Sequence, residues 1–158
     1  MVVAEGRFLE RCVAAVRSSD VEIVIACADR TFIPQSLIDV GATVVRSPDD
    51  TPIALAARGI AAATGDVICL TEDHCVPSQE WAASLVRALS HEGVIAAGGP
   101  IAMPAGVTSF DWAFHIVDFY RYLPPVRSGP VSSLSVCNVA CPRPALDAIQ
   151  GEWQNGFH

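Results

Sequence analysis

Short apolar segments alternating with amphipathic ones restrict this chain more than any other feature. Val21–Ala26 is β-rich and mostly apolar, the pattern of a strand buried on both faces. Ala42–Arg46, introduced by Gly41, reads as a second short strand, Asp66–Thr71 as a third and Val94–Ala97 as a fourth. Helical periods lie between them. Arg7–Arg17 spaces Leu9, Cys12, Val13 and Val16 along one face. Asp50-Thr51-Pro52 supplies an N-cap and a first-turn proline, ahead of Ile53, Ala56, Ala57 and Ile60, and Gly65 stops that helix. Pro77-Ser78 opens another, along which Trp81, Leu85 and Leu89 recur. Strands and helices in this order predict an α/β domain on a parallel sheet with right-handed crossovers.

The rhythm changes after Gly98. Thr108–Arg121 is helical in period, with Phe110, Ala113, Phe114 and Val117 on one face. The cluster Trp112, Phe114, Phe119, Tyr120 and Tyr122 reads first as core packing, and second as an aromatic floor for a ligand ring. Pro124-Pro125 and Ser128-Gly129-Pro130 make a loop, Val131–Ala140 reads as a strand, and Pro142–Gln150 as a short final helix. No repeat or linker divides the 158 residues, so a single domain is expected. Both ends read as cut. Met1-Val2-Val3 has strand character but is too short for a central strand, and Trp153–His158 stops without a closing element. A missing first strand would leave unpaired backbone and apolar sheet surface, so self-association is expected.

Composition narrows the function classes. The net charge is −7 and all ten basic residues are arginine. They are scattered, so neither a phosphate-neutralising face nor a polybasic membrane patch forms, and nucleic acid is not an expected partner. The longest apolar stretches fall far short of the roughly 20 residues of a membrane span. Glu5, Arg7 and Glu10 follow Met1–Ala4 at once, which is no signal peptide. Six cysteines without regular spacing suit a reduced, cytoplasmic protein. Peripheral association with the inner face of the membrane and a homo-oligomeric state are left open.

Chemistry concentrates in Leu70-Thr71-Glu72-Asp73-His74-Cys75-Val76-Pro77. Acidic residues at the carboxyl end of an apolar strand lie where open α/β sheets bind ligands. In extended chain Glu72 and His74 point one way and Asp73 the other. A carboxylate beside an imidazole is half of a site for Mn²⁺, Mg²⁺ or Zn²⁺, and equally a solvated strand end. Cys137 and Cys141, with Cys75 and His74, lack the spacing of a zinc knuckle and read as ordinary buried thiols. Asp111, His115 and Asp118 read as the polar face of a helix before an acid–base pair.

The order of segments is what resembles a known family. Asp20-Val21-Glu22-Ile23-Val24-Ile25, then Ala56-Ala57-Arg58-Gly59-Ile60 through Thr64-Gly65-Asp66-Val67-Ile68, then Glu72-Asp73-His74 ahead of Pro77 and Trp81, are similar to family-2 inverting glycosyltransferases of the GT-A fold. Gly98-Gly99-Pro100, the run Cys137-Asn138-Val139-Ala140-Cys141-Pro142-Arg143, and Trp153 with Gly156-Phe157 extend the resemblance over essentially the whole chain. It implies a GT-A-like, Rossmann-type three-layer sandwich with a mostly parallel sheet. Residues 1–100 would be the nucleotide-sugar-binding half and 101–158 the start of the acceptor-side half.

The resemblance also implies a reaction: metal-assisted transfer of a sugar from a nucleoside diphosphate sugar to an acceptor hydroxyl, with inversion. Glu72 and His74 match the two acids of the family's Asp-x-Asp, so Glu72 and Asp73 would serve the donor, and His74 with Glu72 a divalent cation, Mn²⁺ or Mg²⁺. Arg58 matches an arginine near the donor, with Gly59 in place of the usual asparagine. Asp29 stands slightly displaced from the family's nucleobase-binding acids. Asn138 and Trp112 fall towards the acceptor. The family's base follows a segment like Gly156-Phe157-His158, so it is expected just after His158, with Asp111, Asp118 and Glu152 as carboxylates within the chain. Two other readings stay open: a non-catalytic nucleotide-sugar-binding or assembly module, and a sugar nucleotidyltransferase, which the absence of lysine disfavours.

Overall fold

The computed structural model describes residues 2–4, 8–17 and 21–149. Their strands are β1 (Val2–Ala4), β2 (Val24–Ala28), β3 (Thr43–Ser47), β4 (Val67–Glu72), β5 (Ala97–Gly98) and β6 (Val139–Pro142). The helices are α1 (Leu9–Val16), α2 (Gln35–Asp39), α3 (Pro52–Ala62), α4 (Trp81–Leu89), α5 (Ser109–Phe119) and α6 (Arg143–Ala148), with a 3₁₀ turn over Tyr120–Tyr122. One sheet runs in the order β3-β2-β1-β4-β6-β5. The pairings β3–β2, β2–β1 and β1–β4 are parallel, whereas β6 is antiparallel to both β4 and β5.

Strand alternation sorts the helices into two outer layers. Ile25 and Cys27 pack with Leu9, Cys12 and Val13 of α1 and Leu37 of α2. Ala26, one residue out of phase, packs with Leu55 and Ala56 of α3. The registers Ile25↔Val2 and Val2↔Thr71 carry the same parity across to β4. Val67 and Cys69 thus meet Leu85 and Trp81 of α4 on the α1 side, and Ile68 and Leu70 meet Ile60 of α3 and Leu146 of α6 on the other. The result is a three-layer α/β sandwich.

Four expectations need correction. β1 is a central strand despite its three residues, since β2 and β4 pair with it on either side. The expected gap in the sheet is therefore filled, and with it goes the reason for self-association there. Val94–Ala97 contributes only Ala97 to a strand, because Val94 N–H closes a turn onto His91 O and Ile95 faces solvent. Of Val131–Ala140, only Val139 and Ala140 are extended in the sheet, since Ser135 turns the chain through Asn138 N–H and Cys137 N–H. The aromatic face of α5 is not core: the helix has no buried residue, and Phe110 and Val117 are 69% and 75% exposed.

Two polar clamps fix the ends of elements around the sheet. The Arg143 guanidinium donates to Ala63 O and Gly65 O, carbonyls left over where α3 stops. Glu22 accepts from Thr64 N–H at 2.8 Å and Gly65 N–H at 3.3 Å, tying the approach to β2 to that same corner. The Thr64 bond holds the Glu22 carboxyl below its ordinary value of 4.5. A carboxyl lowered in the folded state adds stability that is present above the unfolded value and lost as pH falls through the folded one. Denaturant titrations at neutral and acid pH should therefore give a shallower acid loss for Glu22→Gln than for the parent. Identical pH slopes would remove this role.

Candidate functional site

The four parallel strands end at one edge of the sheet, at Ala4, Ala28, Ser47 and Glu72. Beyond Glu72 the chain turns, with Cys75 N–H bonded to Glu72 O at 3.0 Å. Glu72 is half-buried, Asp73 only 2% exposed, and His74 open to solvent. Glu72 Oε2 lies 3.4 Å from His74 Nδ1. Asp73 acts inward, where its charge reaches the buried Cys12 as well as His74.

The antiparallel partner of β4 adds to this strand end. Leu70 pairs with Val139, and the turn that leads into β6 brings Cys137 near Glu72. Donor atoms of His74, Cys75 and Cys137 all come within 4.8 Å of one another. Their ionisation is mutually adjusted. The Cys137 thiol donates to Cys75, the imidazole donates to it as well, and together they pull the Cys75 thiol down to about 5 against its burial. His74 is raised to about 9, chiefly by that bond to Cys75 and then by the Glu72 and Asp73 charges. Cys137 is pushed up by donating to Cys75 and by burial. Hydrogen bonding thus favours the ionised form of Cys75 and the protonated forms of His74 and Cys137. Cys12, by contrast, is held at about 12 by burial and only supports Glu72 O through a 3.5 Å contact.

Helix α5 approaches from the segment that follows β5. Thr108 and Asp111 form a capping box that starts it, Thr108 Oγ1 receiving Asp111 N–H and the Asp111 carboxylate receiving Thr108 N–H. Its far end sets the Phe119 ring 6.5 Å from that of His74 and 5.1 Å from that of His115, and His115 meets Trp112 edge-on at 6.1 Å. His115 Nε2 sits 3.2 Å from Ile101 O.

The other residues singled out from the sequence lie as follows. Asp29 is exposed just past β2 on the same edge, in a loop whose carbonyls at Ala28, Asp29 and Thr31 all accept from Arg46. Arg58 is exposed on α3. The Asn138 amide is engaged, accepting from Trp81 Nε1–H at 2.9 Å and donating to Pro100 O at 3.0 Å. Trp112 is 43% exposed, Asp118 is exposed, and Asp111 is committed to its cap. Glu152 and the Gly156–His158 segment lie outside the described residues. Cys141 is not with the other thiols: it pairs with Ile68, four residues back along β4 from Glu72. The Cys75–Cys137 contact has no sequence signal short of the β4–β6 register.

A concavity lined by Val21, Val24, Val67, Trp81 and Val86 opens beside the amino-terminal ends of β2 and β4. Its lining is mostly apolar and includes none of the strand-end cluster.

The three-layer sandwich on this mostly parallel sheet is an α/β domain of the GT-A type, and solved structures agree on that fold. Glucosyl-3-phosphoglycerate synthase from Mycobacterium tuberculosis, in complex with Mn²⁺, UDP-glucose and phosphoglyceric acid, aligns with a TM-score of 0.58 at 17% identity over 90% of this chain and 55% of that one. A mannosyltransferase from Pyrobaculum calidifontis, in complex with GDP-mannose and Mn²⁺, aligns with 0.61 at 15% identity over 99% and 46%. The chain thus spans about half the length of these neighbours. Residues 2–149 match the profile of Glycosyl transferase family 2, and the chain belongs to that family. No curated protein sequence matches it significantly. Among the described residues no helix is long and apolar enough to cross a membrane.

Proposed function

We propose that this chain forms the donor-binding part of a glycosyltransferase that moves a sugar from a nucleoside diphosphate sugar to an acceptor hydroxyl with inversion. The observation that carries the reading is the Glu72–His74 pair at the strand end of a family 2 domain. Residues 1–100 bind the donor and residues after 100 begin the acceptor side. Glu72 faces the donor, Asp73 acts from beneath through its charge, Arg58 offsets diphosphate charge, and Asp29 stands nearest the nucleobase. The exposed aromatics of α5, Trp112 among them, floor the acceptor, with Asn138 bracing the loop below. In the transfer the acceptor oxygen bonds to the anomeric carbon as the bond to the diphosphate breaks, and a carboxylate base takes the hydroxyl proton.

A divalent cation suits this site. A diphosphate beside Glu72, with the Asp73 charge beneath, calls for a counter-charge, and Glu72 Oε2 with the His74 imidazole nitrogen 3.4 Å away offers an oxygen and a nitrogen donor. The two neighbours named above are complexes with Mn²⁺. Glu72 and His74 would hold the ion, which when bound supplies charge stabilisation to the departing diphosphate. Calorimetry with UDP and GDP, with and without Mn²⁺, tests the reading. Metal-dependent binding of at least one of them is expected, and Glu72→Gln should weaken it. Absence of binding to any nucleoside diphosphate under all metal conditions would point to an assembly module instead.

A further inference from the structure

We propose that His74, Cys75 and Cys137 form a soft metal site that takes Zn²⁺ in the nucleotide-free chain, sharing His74 with the Glu72–His74 pair. Two turns converge to make it: the turn after β4 supplies His74 and Cys75, and the turn before β6 supplies Cys137. The three donor atoms lie within 4.8 Å of one another. A tetrahedral zinc, with bonds of about 2.3 Å to sulfur and 2.0 Å to nitrogen, holds its donors roughly 3.5–3.8 Å apart. Closing the cluster by about 1 Å is a side-chain adjustment, since both His74 and Cys75 sit on a turn and His74 is exposed.

The burial gradient favours an ion over chance proximity. Cys137 is buried at the back, Cys75 is half-buried, and His74 is open, so the donors line a path from solvent inward. Two thiolates and one imidazole make a Cys₂His set, which leaves a fourth position for water or a ligand oxygen. Glu72 Oε2, 3.4 Å from His74 Nδ1, stands where a carboxylate orients a ligating imidazole or takes the fourth position itself. Thiolate sulfur prefers zinc to the hard cations magnesium and manganese. Each cysteine ligates as thiolate and the histidine as neutral imidazole, so metal binding is coupled to proton release.

This inference does not rest on the glycosyl-transfer reading, because it concerns metal bound by the chain without nucleotide. The test is a Co²⁺ titration of the reduced, chelator-treated chain, followed by displacement with Zn²⁺. One equivalent of cobalt should give a thiolate-to-metal charge-transfer band and the intense visible bands of a tetrahedral centre. Zn²⁺ should abolish both, and a tenfold excess of Mn²⁺ or Mg²⁺ should not. Cys137→Ser and Cys75→Ser should each weaken Co²⁺ binding at least tenfold and reduce the charge-transfer intensity, while the exposed His74→Ala weakens binding with both sulfur ligands kept. If a serine variant does not fold, the parent spectrum and His74→Ala still decide. A weak octahedral cobalt spectrum without charge transfer, or displacement by Mn²⁺ as readily as by Zn²⁺, would overturn the site. Loss of nucleotide binding with the cobalt spectrum intact would count against sugar transfer and leave this site standing.

Discussion

Replacing His74 with alanine should abolish metal-dependent nucleoside diphosphate binding while leaving the fold intact. His74 is exposed, so its removal opens no cavity, and the sheet beneath is held by β1 and β6 rather than by the imidazole. Changing even an outer-shell partner of a metal ligand costs roughly 10–100-fold in affinity, so loss of the ligand itself should exceed about 100-fold. The measurement is calorimetric affinity for UDP or GDP in the presence of metal, set beside the thermal midpoint. An unchanged midpoint with lost binding is the expected pair of results. Retained metal-dependent affinity would take His74 out of the site.

A second large effect is expected at Gly98, in β5 beside the turn that enters β6. A Cβ built there lies 2.7 Å from Asn138 O and 2.7 Å from Leu134 Cδ2. The leucine methyl can swing away, but the carbonyl belongs to the backbone that enters β6. Overpacking of this kind costs about 1–3 kcal/mol. Gly98→Ala should therefore lower the thermal midpoint by several degrees, about 2–4 °C for each kcal/mol in a chain of this size. It should also disturb Trp81, whose indole N–H is held by the same Asn138 at 2.9 Å. Trp fluorescence and melting followed together give the readout, and a midpoint within one degree of the parent would contradict the close approach.

Parts of this architecture were legible residue by residue. The Thr51-Pro52 start and the apolar period after it mark α3, and Thr51 does accept Ala54 N–H at the cap. Leu9, Cys12 and Val13 mark the buried face of α1. Helix α2 escaped because its five residues are too few to show a period, and of them only Leu37 is buried. Helix α5 shows the opposite failure. Its period is real and its capping box sharp, yet Phe110, Phe114 and Val117 are exposed. A repeat of apolar residues reports the conformation of a segment, and whether another element covers it is a separate matter.

Local chemistry in the chain determined that β2, β3 and β4 are strands, where the main helices start, and that Glu72, Asp73 and His74 sit together at a strand end. Those properties follow from neighbours a few residues apart, which backbone geometry alone brings into relation. Tertiary structure decided the rest. It placed three-residue β1 at the centre, between β2 and β4. It ran β6 antiparallel to β4, which brings the turn carrying Cys137 near Glu72 while leaving Cys141 at the other end of the strand. Residues so distant in the chain meet only once strands pair, because a hydrogen-bonded register fixes every later contact along it and no property of either segment alone specifies that register.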